Sequence, residues 1–171
     1  FCTIEPNIGM VPVPDPRLTA IAALTHPQKV TPTAVEFVDI AGLVKGASRG
    51  EGLGNKFLGH IREVDAVVHI VRCFENPNVV HVDGAVDPLR DLDIVQMELI
   101  LADLETIEKR IEKAEKLAKV GDKDARKTLE LYHQIHEGLG KGVPVSAMPR
   151  QEDWDACLQD LHLLTAKKML L

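Results

Sequence analysis

Residues Val35–Leu58 read VEFVDIAGLVKGASRGEGLGNKFL. The stretch opens on a β-branched apolar run that stops at a carboxylate, Asp39. It continues through a loop holding Gly42, Gly46, Gly50, Gly52 and Gly54 and ends in a helical pattern. A near-continuous apolar run of this kind is how a strand covered on both faces reads. An ordinary connection rarely needs so many glycines. A loop that lies against a phosphate and moves when the phosphate leaves does, because a glycine N–H can approach with no Cβ in the way. Ligands of α/β sheets sit outside the carboxyl ends of the strands. Asp39 is therefore the candidate Mg²⁺ residue, acting through water because Mg²⁺ dehydrates reluctantly. Gly42, three positions on, is the candidate γ-phosphate contact. A D-x-x-G string alone also describes an aspartate capping a turn; the strand before it and the glycine loop after it favour a nucleotide.

Working outward, Gly9–Val13 reads as a short strand. Asp15 followed by Pro16 is a helix cap with a first-turn proline, so a helix is expected over about Pro16–Leu24. Downstream, Leu53–Glu63 reads as a helix and DAVVHIVRCF (residues 65–74) as a second buried strand. Strand, helix and strand at this spacing predict a βαβ unit with parallel strands, hence an α/β class. Asp87-Pro88 repeats the cap signal and opens a long helix. Its stripe of Ile94, Met97, Leu101, Leu104, Ile107, Ile111, Ala114 and Leu117 is narrow, as in a coiled-coil seam. Gly121 is expected to stop it and Asp122 to cap a second helix bearing Ala125, Leu129, Tyr132, Ile135 and Leu139. The two stripes make an antiparallel hairpin inserted between sheet strands. A short helix near Asp153–Leu161 and a strand at KKMLL follow. The expected division is 1–87 for the core of a nucleotide-binding domain, 88–140 for the hairpin and 141–171 for the return to that domain.

Composition limits what such a chain can do. Its 171 residues are 45% hydrophobic and 27% charged, which is globular, and only 4% aromatic, which argues against base stacking as the main mode of binding. Cys2, Cys73 and Cys157 are odd in number and far apart, so neither a disulfide framework nor a zinc site is expected and a reducing cytoplasm fits. Neither a membrane span nor a signal peptide is evident. The net charge is −6, yet Lys109–Lys127 holds eight basic and four acidic residues. Lys113, Lys116, Lys119, Lys123 and Lys127 concentrate near the expected hairpin tip and suit RNA phosphates, against the plainer reading of a solvated face. His133 and His136 stand at i, i+3 on the second helix, where surface histidines outweigh a metal pair. His69 and Cys73 read as packed strand residues.

Thr3 lies in a loop ahead of the first strand, 36 residues before Asp39. GTPase-like proteins carry a threonine in that region whose hydroxyl reaches Mg²⁺ and whose backbone meets the γ-phosphate. PNIGMVPVPDPRL, the glycine-loop string, HIVRCFENPNVVHV and LILADLETIEKRIEKAEK together resemble the Obg-like ATPase, or YchF, family across almost the whole chain. The resemblance implies a P-loop NTPase of the GTPase superfamily with an inserted helical hairpin. It further implies slow, Mg²⁺-dependent hydrolysis of ATP in preference to GTP, and ribosome association in the cytoplasm, with neither membrane nor DNA as partner. By position, Thr3 and Asp39 match the Mg²⁺ residues and Thr3 and Gly42 the phosphate contacts. Leu43 stands where Ras-like proteins orient water with glutamine, and a leucine polarises nothing, so the group that activates water is open.

Two signatures are missing. The only Gly-Lys pair, Gly140-Lys141, has Ile135 where a G-x-x-x-x-G-K-[ST] loop needs its first glycine and Gly142 where it needs Ser or Thr. No N-K-x-D occurs, since Asn55-Lys56 runs into Phe57 and Leu58. The resemblance places the phosphate loop just before Phe1 and the base-reading motif just after Leu171, so the chain, which does not begin with Met, is expected to be a piece cut between them. The competing reading is a non-hydrolysing module that docks RNA or protein through the hairpin.

Overall fold

The computed structural model describes residues 7–40, 53–81, 84–119, 123–150 and 154–171. The chain falls into two compact units, Phe1–Gly42 and Leu43–Leu171.

In the first unit, strand β1 (Asn7–Pro12) is followed by helix α1 (Pro16–Thr25) and strand β2 (Ala34–Asp39). The cap signal is realised: the Asp15 carboxylate accepts from the Arg17 N–H at 2.9 Å, and Pro16 occupies the first turn, where its missing N–H costs nothing. His26 closes the helix in the left-handed region at φ 45°. The strands pair antiparallel, from Asn7 opposite Asp39 to Pro12 opposite Ala34. The long connection between them lets the chain reverse, and the Val13 N–H donates to the Thr33 carbonyl at 2.7 Å just beyond the ladder. Within this unit β2 finds its partner in the strand before it, antiparallel. It is not covered on both faces, since Val35 and Phe37 are exposed.

The second unit contains α2 (Leu53–Glu63), β3 (Ala66–Val68), α3 (Pro88–Lys119), α4 (Lys123–Gly140), α5 (Trp154–Leu161) and β4 (Lys168–Leu170), with 3₁₀ turns over Val145–Ala147 and Leu164–Ala166. The parallel pairing lies here, β3 against β4, from Ala66 opposite Lys168 to Val68 opposite Leu170. The α/β class with a helical hairpin therefore holds, although β3 is far shorter than the ten-residue run. Its continuation is held by a side chain in place of a ladder. Arg72 donates through Nε to the Phe74 carbonyl at 3.0 Å, Nη1 to Val79 at 2.9 Å and Nη2 to Asn76 at 3.2 Å, with its guanidinium over the Phe74 ring. Those carbonyls bond to a side chain in an irregular loop, and Cys73, expected in a buried strand, is exposed.

Asp87 caps α3 by accepting from the Arg90 N–H at 3.1 Å, ahead of Pro88. α3 and α4, three residues apart in sequence, pack along one another over Ile100, Ile107 and Ala114 on one side and Leu131, Tyr132, Ile135 and Leu139 on the other. Ile107 and Ile135 are 0% exposed. The stripe runs as read through its middle, with Leu104 and Ile111 packed beside it, but its ends, Met97 and Leu117, are exposed. Gly121 and Asp122, the expected stop and cap, lie outside the described residues. Just past the end of α4, Gly142 takes φ +78°; its N–H reaches the Leu139 carbonyl at 2.9 Å and the Val143 N–H the Gly138 carbonyl at 3.0 Å. This double closure needs a left-handed residue, which glycine supplies without strain. Trp154, Leu161 and Leu163 complete the core.

One carboxylate lies inside this core. Asp103 is 0% exposed and accepts from the N–H groups of Leu164 and Thr165, each at 2.8 Å, and from the Thr165 hydroxyl at 2.7 Å. Desolvation pushes its pKa up; the Thr165 and Leu164 N–H groups, the Thr165 hydroxyl and the Arg62 charge pull against that. A raised folded pKa means that the native state holds this proton more tightly than the unfolded chain does. The associated stability is complete below the unfolded carboxylate value of about 3.9 and is lost as pH rises through the folded pKa. In urea titrations across that window, the advantage of the native chain over Asp103→Asn is expected to shrink with rising pH. A constant difference would show that the carboxylate titrates alike in both states.

Candidate functional site

Asp39 is the last residue of β2, exposed, at the carboxyl end of the strand, where the sequence places the metal carboxylate. The antiparallel register sets Asn7, the first residue of β1, opposite it. In sequence, Thr3 lies four positions before Asn7, and Gly42 and Leu43 three and four after Asp39. The two segments that carry the site residues are thus those that enter β1 and leave β2 on either side of one paired position. Thr3, Gly42 and Leu43 themselves lie outside the described residues, as does the glycine loop through Gly52.

Among the described residues no group of three His, Cys, Asp or Glu side chains gathers to hold a metal.

The second candidate surface is the hairpin tip. Lys113, Lys116 and Lys119 on α3 and Lys127 on α4 are exposed; Lys123 opens α4. Lys109, nearer the base, pairs with Glu105 at 2.5 Å, one helical turn away. Among the described residues none of the four exposed lysines is in an ion pair. His136 faces Glu108 across the hairpin at 3.4 Å, while His133 is exposed on the other side of the turn. No helix is long and apolar enough to cross a membrane among the described residues.

Sequence reasoning missed two elements. The Arg72 clamp was hidden inside what reads as a strand. Asp103 is not among the residues singled out from the sequence, although Ile100, Asp103 and Ile107 at i, i+3, i+7 put a carboxylate on the core-facing stripe. That spacing was the available signal.

Residues 1–134 match the family model described as 50S ribosome-binding GTPase. The ribosome-binding ATPase YchF of Bacillus subtilis is 52% identical over 170 residues, covering 99% of this chain and 46% of the relative. The protein of the same name from Escherichia coli O157:H7 is 50% identical over 167 residues, covering 98% and 46%. The solved structure of the Schizosaccharomyces pombe YchF GTPase superposes with a TM-score of 0.79 at 36% identity, covering 98% of this chain and 46% of that one. The chain spans about half the length of the curated relatives it matches.

Proposed function

We propose a function from the premise that this chain belongs to the 50S ribosome-binding GTPase family, in its YchF branch, and carries the P-loop GTPase-like fold. The protein it belongs to acts as a ribosome-associated nucleotide switch in the cytoplasm, hydrolysing ATP slowly with Mg²⁺ and, less readily, GTP. The observation that carries this reading is the exposed carboxylate of Asp39 at the carboxyl end of β2, paired opposite the start of β1.

In this reading Asp39 would hold Mg²⁺ through water, Thr3 would supply a hydroxyl to the ion and a backbone group to the phosphate, and the Gly42 N–H would meet the γ-phosphate. Mg²⁺, when bound, neutralises charge on the phosphates. Leu43 transfers no proton, which fits slow turnover. Residues 1–87 and 141–171 build the nucleotide domain and 88–140 the hairpin that reaches the ribosome through its lysines. The names of the relatives, ribosome-binding ATPases, support the partner and the nucleotide.

The test uses the full-length parent protein. Asp39→Asn removes one charge from the cation site and keeps the size of the side chain. Titration of ATP at several Mg²⁺ concentrations is expected to show affinity weakened by about tenfold, the equivalent of about 1.4 kcal/mol, with unchanged thermal stability. An unaltered Mg²⁺ dependence moves the ion to other residues.

A further inference from the structure

We infer that Asp103 is a positioning residue that couples both legs of the helical hairpin to α2, so that a shift of α2 reaches the lysine-bearing tip. The inference rests on the reading above in one respect: α2 begins at Leu53, directly after the glycine loop assigned to the phosphate.

The geometry is a single shared turn. Leu164–Ala166 has no side-chain cap of its own, and Leu163, which precedes it, cannot accept a hydrogen bond through its side chain. Asp103 reaches it from α3 and takes both N–H groups of its start, at 2.8 Å each. The second leg arrives at the same turn: α4 closes at Gly142, and three residues on the Val145 N–H donates to the Thr165 hydroxyl oxygen at 3.1 Å. The Thr165 hydroxyl in turn donates to Asp103 at 2.7 Å. α2 meets this turn from the other side. Lys167 Nζ donates to the Val64 carbonyl, one residue past the end of α2, at 2.6 Å, and Arg62 of α2 acts electrostatically on the Asp103 carboxylate. β4 starts at Lys168, immediately beyond.

An apolar residue at position 103 would leave two buried N–H groups without acceptors, so packing does not account for the carboxylate. The three hydrogen bonds to Asp103 join residues 61 or 62 positions apart, so they fix segments to each other and add nothing to α3 itself. A hairpin whose two legs converge on one turn cannot tilt without moving that turn, and the turn is attached to the end of α2. Coupling carried this way is reciprocal: nucleotide changes the affinity for the hairpin's partner by the factor that the partner changes the affinity for nucleotide.

The experiment has two arms, each on the native protein, Asp103→Asn and Thr165→Val. Hydrogen exchange on this chain reads the joint with neither nucleotide nor ribosome present. Asp103→Asn is expected to speed exchange at the Leu164, Thr165 and His69 amides by about tenfold while Ile107 and Ile135 stay protected. Thr165→Val, which deletes only the hydroxyl, should give a smaller change at the same places and serves if Asp103→Asn does not fold. Ribosome pelleting by the parent protein with and without ATP reads the linkage. The native ratio of affinities, expected at roughly 5-fold to 150-fold, should fall towards one in Asp103→Asn. Exchange that rises evenly through α3 and α4, or does not rise, overturns the joint and leaves the nucleotide reading standing. An affinity ratio unchanged by Asp103→Asn overturns the linkage. A native parent protein that binds no ATP overturns the nucleotide reading and the linkage with it.

Discussion

Replacing Lys116, Lys119 and Lys123 by glutamate is expected to strip the parent protein of most of its salt-sensitive ribosome affinity while ATP turnover stays near the native level. Each lysine that neutralises a phosphate releases condensed counterion and adds about 0.7 to 0.9 to the slope of log affinity against log salt. Without these three lysines the slope falls by roughly two to three units, and the added negative charges repel what the lysines attracted, so at low salt the affinity should drop by about a hundredfold or more. Lys116 and Lys119 sit in the last turn of α3, where cations also complement the helix dipole. Placing anions there costs about 0.3 to 1 kcal/mol per site, so a parallel Lys→Gln triple variant separates charge loss from helix fraying. Co-sedimentation across a salt titration is the measurement. If the glutamate variant pellets with the native salt slope, the tip is a solvated face and the ribosome is met elsewhere on the protein.

Truncating Ile135 to alanine should lower the stability of the hairpin unit by about 2 to 5 kcal/mol, a change that destabilises an ordinary domain severely. The side chain is 0% exposed and lies within one continuous core with Ile107, Leu139 and Trp154, so neighbours on both helices and in the following segment limit how far the void can collapse. Leu117→Ala is the control, an exposed apolar position on the stripe of the partner helix α3. Leu117 is exposed, and its loss should cost within about half a kcal/mol. Urea denaturation followed by helical circular dichroism measures both. Equal effects at the two positions would show that the packing assigned to the hairpin is not what stabilises it.

The contrast between Ile135 and Leu117 also shows what could be read from residues alone. Helix caps were legible because Asp15-Pro16 and Asp87-Pro88 act on their own first turns. The hairpin was legible because a period of three or four, sustained over many turns, survives any tertiary context. Strand pairing was not. DAVVHIVRCF and AVEFVDI look alike, and nothing local says that β2 turns back on β1, or that β3 stops after Val68 while Arg72 binds carbonyls of the loop further on. Asp103 was invisible for the same reason: its three partners lie about sixty residues away, and a single sequence holds no record of distance in space. Asp39 and Gly42 could be singled out because their candidacy follows from position at and just past a strand end, whereas Thr3 and Leu43 lean on likeness to GTPase-like proteins.

The register of β3 and β4 has a kinetic consequence. Ala66 pairs with Lys168, so the chain must close a loop of about a hundred residues before a ladder of three positions rewards it. Such non-local closure is slow in an unstructured chain. Helices α3 and α4 change the distance to be closed. They pack together across a three-residue connection, so the hairpin can form from local interactions first, and its two ends then stand side by side. Once it has formed, the effective loop is about halved, to residues 69–87 and 141–167 on either side, and the parallel pair closes at a lower entropic cost. Variants that delay the hairpin should therefore slow the β3–β4 pairing in proportion, and variants confined to β3 or β4 should mainly speed unfolding.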